Sequence, residues 1–120
     1  MSPSDPANAH GLDSLLDELL VMRGKFIVDP ERLCLYFGEV NILLFEGFIA
    51  GYRACQGVHG IKDERYERFW EWLRDVKGEL PTEGWRVKYL RDCDNDPLRA
   101  IRKFLDFAAE FHAMEQRGTC

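Results

Sequence analysis

Cysteine is scarce in this chain and scattered: Cys34, Cys55, Cys93 and Cys120 form no CxxC pair. Neither a zinc ribbon nor a dithiol redox motif can be written through them. No positively charged start leads into an apolar stretch, so they read as reduced thiols and the chain reads as cytoplasmic. Histidine is equally sparse, and His10, His59 and His112 share no metal-ligand spacing. No apolar run approaches the roughly 20 residues that a membrane span requires. The longest, residues 40–50, is broken by Asn41 and Glu46 and reads as a core helix, so no membrane partner is expected. A glycine-rich phosphate loop, a GxSxG elbow and a nucleophilic Cys and His pair are all missing, which leaves no catalytic set and no cofactor to expect. Positive charge is short as well. A formal net charge of -5 disfavours nucleic acid and anionic membranes and favours a basic partner.

What is present is a core. Hydrophobic residues make up 46% of the chain, eight of them Phe and three Trp, and 120 residues suffice for one domain. Residues 1–11, rich in Pro, Ser, Ala and Asn, are expected to be a flexible tail before a helical domain over residues 12–120. Leu12, Leu15, Leu16, Leu19 and Leu20 recur at helical spacing and predict a first helix ending near Gly24. Phe26 to Pro30 reads as an extended connector, and Pro30 can open a brief turn or helix. Residues 39 to about 56 predict a second helix, apolar almost all round and so the most buried element. Its small residues Gly47, Gly51, Ala54 and Cys55 would let a neighbouring helix approach closely. Asp63 can cap a third helix with an apolar face of Tyr66, Phe69, Trp70, Leu73 and Val76, and Trp72 at the margin. Residues 85–93 fit a strand by alternation and a helix by the Trp85 to Tyr89 spacing. Helix is preferred, because a lone strand would have no partner. Asp96 followed by Pro97 starts a last helix carrying Leu98, Ile101, Phe104, Leu105, Ala108 and Phe111. The expected fold is all-α, a compact single-domain bundle of four or five helices.

Each candidate site has a plainer alternative. Asp92, Asp94 and Asp96 match the first spacings of a calcium loop, but Pro97 stands where glycine is needed and Lys103 where glutamate is needed, which favours turn and capping roles. His59 beside Asp63 and Glu64 could serve as an acid or base, although a polar loop histidine is usually just solvated. Glu46 among Leu43, Leu44, Phe45, Phe48 and Ile49 is costly to bury unpaired, so it either has a raised pKa and a functional role or, as the plainer reading, reaches the helix margin or an arginine such as Arg23 or Arg53. Glu64, Glu67, Glu71 and Asp75 follow at three- and four-residue steps and form an acidic stripe opposite Phe69 and Leu73. It is either a solvated face or a docking surface for a basic protein. Arg86, Lys88, Arg91, Arg99, Arg102 and Lys103 make the C-terminal part locally basic, a possible anion patch.

The order Arg23-Gly24-Lys25-Phe26, Phe48-Ile49-Ala50-Gly51-Tyr52, Phe69-Trp70-Glu71-Trp72 and Gly84-Trp85, closed by a Phe-rich amphipathic helix, resembles a family of small bacterial proteins. Its members look like immunity proteins that neutralise toxins of interbacterial competition. Gly24 and Phe26 stand where the family pattern has proline and tyrosine. The resemblance implies a non-catalytic domain that binds a toxin with a basic surface. The alternative is a helical module that self-associates through Trp70, Trp72 or the strip of Gly47 and Gly51. The matching residues Phe48, Gly51, Tyr52, Phe69, Trp72 and Trp85 are packing types and speak for a shared fold more than a shared site.

Overall fold

Most helices here begin on a short polar side chain that accepts from the first free backbone N–H groups. A computed structural model describes residues 14–33, 38–39, 41–80 and 84–118; residues 1–13, which hold the expected tail and the expected helix start at Leu12, and residues 34–37, 40, 81–83 and 119–120 lie outside the described residues. Ser14 opens α1 (Leu15–Val28), Asn41 opens α2 (Ile42–Val58) and Asp63 opens α3 (Glu64–Asp75). Gly84, at φ 98°, precedes α4 (Trp85–Asp92) without a side-chain cap. Asp96 Oδ1 opens α5 (Pro97–Gly118), accepting from Leu98 N at 3.0 Å and Arg99 N at 3.3 Å. A 3-10 turn, Pro30–Leu33, follows α1. These five α-helices, with no strand among the described residues, make the protein an all-α single-domain bundle, and residues 85–92 are helical. No described helix is long and apolar enough to cross a membrane.

The centre of the bundle is α5, which touches all four other helices. Ala100, Ile101, Phe104, Leu105, Ala108 and Phe111 line its buried face. The Phe104 ring is the hub, with centroids of Trp85 at 4.7 Å, Phe45 at 5.6 Å, Phe69 at 5.7 Å and Tyr89 at 6.2 Å. One side chain thus ties α2, α3 and α4 to α5, and truncating such a buried ring to alanine costs about 3–5 kcal/mol.

Several expectations are corrected. The second helix is not the most buried element: only Ile42, Phe45, Ile49 and Gln56 of α2 are buried, while Leu43 and Leu44 are 56% and 41% exposed. A Cβ added at Gly47 or Gly51 would meet nothing within 4 Å, so among the described residues no helix uses the small-residue strip. A helix apolar all round can face solvent with one side when a longer amphipathic helix takes the centre, as α5 does. The first helix runs through Gly24 to Val28, so Phe26 lies on a helix at 4% exposure, not in a connector. Burying that ring, about 1.5–3 kcal/mol, outweighs the roughly 1 kcal/mol that glycine costs inside a helix. On α3, Trp72 is core at 8% exposure, whereas Val76 is 69% exposed because the helix has already ended there. Gly78 makes that ending with φ 64°, a conformation open to glycine, and the Glu79 N–H donates back to the Leu73 carbonyl at 2.9 Å.

Candidate functional site

The acidic stripe lies on the outward face of α3, since Tyr66, Phe69, Trp72 and Leu73 are the buried side. Its four members differ in what they touch. Glu64 is 3.9 Å from Lys62 with both side chains well exposed. Glu67 Oε2 accepts from Arg53 Nη2 at 3.3 Å, across from α2. Asp75 accepts from its neighbour Arg74 at 2.8 and 3.1 Å, which holds its carboxyl below the usual carboxylate range. Glu71 has no hydrogen bond or ion pair with any described residue. The helical pairs Glu64 to Arg68 and Glu71 to Arg74 that the spacing offers are not formed as ion pairs. Arg68 reaches Glu115 on α5 at 3.3 Å, and Arg74 turns to Asp75. The stripe is therefore an acidic row with arginines along both flanks.

Beside it runs an open groove of about 360 Å³ lined by Arg53, Tyr66, Glu67, Trp70, Glu71 and Arg74. Trp70 packs on Tyr66, ring centroids 6.1 Å apart, and stays half-buried. Arg53 Cζ lies 5.2 Å from the Tyr66 centroid, and its Nη1 donates to Gln56 at 3.1 Å. Two stripe carboxylates, an aromatic surface and two guanidinium groups thus share one groove. Sequence spacing assigns Trp70 to the core face and does not connect it with the stripe. The available signal is the repeat Tyr66-Glu67, Trp70-Glu71, the same pair of residue types one turn apart.

Other candidates fall into structural roles. Glu46 pairs with Arg86 of α4 at 3.2 Å, at the margin of α2 as expected but with neither arginine named from sequence. The three aspartates diverge. Asp92 accepts from Lys88 at 2.6 Å and Lys103 at 2.7 Å, which hold its carboxyl down to about 2. Asp94 and Asn95, at φ 56° and 62°, make the turn, and Asp96 caps α5. Among the described residues no group of three or more His, Cys, Asp and Glu is placed to hold a metal. His59 closes α2 and is exposed, His112 sits 3.3 Å from Arg65, and His10 lies outside the described residues. Within the basic C-terminal part, Arg86, Lys88, Arg99, Arg102 and Lys103 each pair with a carboxylate of this chain. Those pairs offset the local positive charge.

Asp63 is the buried polar centre. Its Oδ1 accepts from Ser14 Oγ at 2.8 Å and Tyr66 N at 3.1 Å, and its Oδ2 from Leu15 N at 2.6 Å and Gln56 Nε2 at 2.9 Å. Burial alone would raise this carboxyl, but these hydrogen bonds outweigh it and hold it below the usual range. One carboxylate thereby serves the N-termini of both α1 and α3. Tyr89 shows the opposite case, a buried hydroxyl with no hydrogen-bond partner among the described residues, pushed up chiefly by burial and also by Glu79 and Asp92.

No family model, curated protein or solved structure matches this chain. The motifs that carry the resemblance to immunity proteins are mostly packing elements here. Phe69, Trp72 and Trp85 are buried, and Phe48 and Tyr52 pair their rings at 6.2 Å.

Proposed function

We propose that this chain is a non-catalytic protein-binding domain of the immunity type, which neutralises a cognate toxin in the cytoplasm by binding a basic surface of it. The observation that carries this reading is the groove on α3, where Glu71, which makes no hydrogen bond or ion pair with a described residue, lies beside the partly buried Trp70. Aromatic residues at such a surface supply contact energy, and unpaired surface charge supplies association rate. The net charge of -5 adds long-range attraction for a basic protein.

The test is binding to the toxin domain encoded beside the gene, measured by stopped flow across salt concentrations. Glu64 and Glu71 are the residues to reverse, because Glu67 holds Arg53 in place. The Glu64→Lys, Glu71→Lys variant should keep its helicity, associate about tenfold more slowly at low salt and lose most of its salt dependence. Unchanged association would remove α3 as the docking face. Failure to bind or neutralise any neighbouring toxin would remove the immunity reading.

A second reading, self-association, is favoured by one specific feature. The exposed side of α2, with Leu43, Leu44, Gly47, Ala50, Gly51, Ala54 and Val58, carries no charged residue. A strip about 25 Å long and 10 Å wide buries far less than the roughly 800 Å² per partner of a standard interface. Any such dimer is weak. Sedimentation at millimolar concentration decides this reading, and a strictly monomeric species there rejects it.

A further inference from the structure

Tyr66-Glu67 and Trp70-Glu71 are one aromatic and carboxylate pair repeated a helical turn apart, and both line the groove together with Arg53 of α2. The first pair already holds a guanidinium. Arg53 Cζ lies 5.2 Å from the Tyr66 ring centroid while its Nη2 donates to Glu67 at 3.3 Å. At the second pair no described residue makes an ion pair with Glu71 or seats a cation on the Trp70 ring. Arg74, the other guanidinium of the groove, feels the charge of Glu71 but gives its hydrogen bonds to Asp75, at 2.8 and 3.1 Å. Tryptophan is the best of the three aromatic rings for attracting a cation, and Trp70 is the one partly exposed tryptophan among the described residues, since Trp72 and Trp85 are buried.

We propose that the Trp70-Glu71 pair is an anchor site for an arginine side chain of a partner protein, seated as Arg53 is seated on Tyr66 and Glu67. Arginine fits better than lysine, because a planar guanidinium can stack on the indole and present its N–H fork to the carboxylate at once. An acidic side chain is disfavoured, because Glu67 and Glu71 face the groove and Arg53 and Arg74 are occupied by Glu67 and Asp75. The proposal rests on the protein-binding reading only in naming a protein as the source of the arginine.

The test is an NMR titration of the whole chain with the tripeptide acetyl-Gly-Arg-Gly-amide, followed at the indole N–H signals and assigned with Trp70→Phe. The Trp70 signal should move while those of Trp72 and Trp85 stay, and the citrulline tripeptide, of the same shape without charge, should bind several-fold more weakly. Glu71→Gln should weaken the arginine peptide roughly two- to fivefold, the worth of an exposed charge pair. Equal binding of the arginine and citrulline peptides, or a Trp70 signal that does not move, overturns the proposal. The two readings fail separately. If the peptide binds as expected but no neighbouring toxin does, the immunity reading falls and the anchor stands. If a toxin binds the Trp70→Ala and Glu71→Gln variants as tightly as the natural chain, the anchor falls and the immunity reading stands.

Discussion

Replacing Asp63 should damage this protein far more than its place in a polar turn suggests. The side chain is 4% exposed and accepts four hydrogen bonds, two of them from the backbone N–H groups of Leu15 and Tyr66 in the first turns of α1 and α3. In Asp63→Ala both N–H groups and the Gln56 amide lose an ionised acceptor inside the protein. Losing a helix cap costs about 1 kcal/mol, and each buried donor left without a partner costs about 1–3 kcal/mol. Allowing for partial relaxation and entry of water, the expected loss is about 3–5 kcal/mol. Asp63→Asn is the finer test. Ser14 can rotate its hydroxyl and Gln56 can turn its amide, but whichever way the new amide points, its NH2 group faces the Leu15 or the Tyr66 N–H. A loss of about 1–3 kcal/mol is expected. The pH dependence has a defined sign. The folded carboxyl lies below its ordinary value, so its stabilisation is fully present above about pH 4 and is lost as pH falls through the folded pKa. Urea unfolding followed by circular dichroism at pH 7 and pH 3 measures the gap between natural chain and Asn variant, in which the other carboxylates largely cancel. That gap should be narrower at pH 3. An Ala variant within 1 kcal/mol of the natural chain at pH 7, or a gap that does not narrow in acid, would refute the double-cap account.

Tyr89→Phe should be neutral or stabilising by up to about 1 kcal/mol in urea unfolding, because it removes a buried hydroxyl that has no partner among the described residues; a clear destabilisation would mean that the hydroxyl is satisfied in solution. Gly47→Ala and Gly51→Ala should each raise stability by roughly 0.5–1 kcal/mol, since both sit inside a helix where a Cβ meets nothing within 4 Å. A loss of stability in thermal unfolding would show that another surface packs closely there. Carboxyl-detected NMR should place Asp92 near 2, with Lys103→Met and Lys88→Met each moving it upward. Its stabilising pairs should therefore persist at pH 4 and fade only as pH falls towards 2.

Helix existence was legible in the chain because its causes are local. Caps at Asp63 and Asp96, Pro97 at a first helical position and the three- and four-residue steps from Leu98 to Phe111 all act within a few residues. The acidic stripe was legible for the same reason, since a helix places Glu64, Glu67, Glu71 and Asp75 in one row wherever it docks. Tertiary contacts decided the rest. That α5 and not α2 takes the centre depends on which apolar faces meet, and an all-round apolar wheel carries no direction. Arg53 reaching Tyr66 and Glu67, and Asp63 reaching Leu15 across 48 positions, join side chains that no local period relates. The groove beside Trp70 takes one wall from Arg53, a residue of α2 that reaches Tyr66 and Glu67 of α3. Spacing on one helix says which residues share a face, and only the packing of two helices says what that face meets.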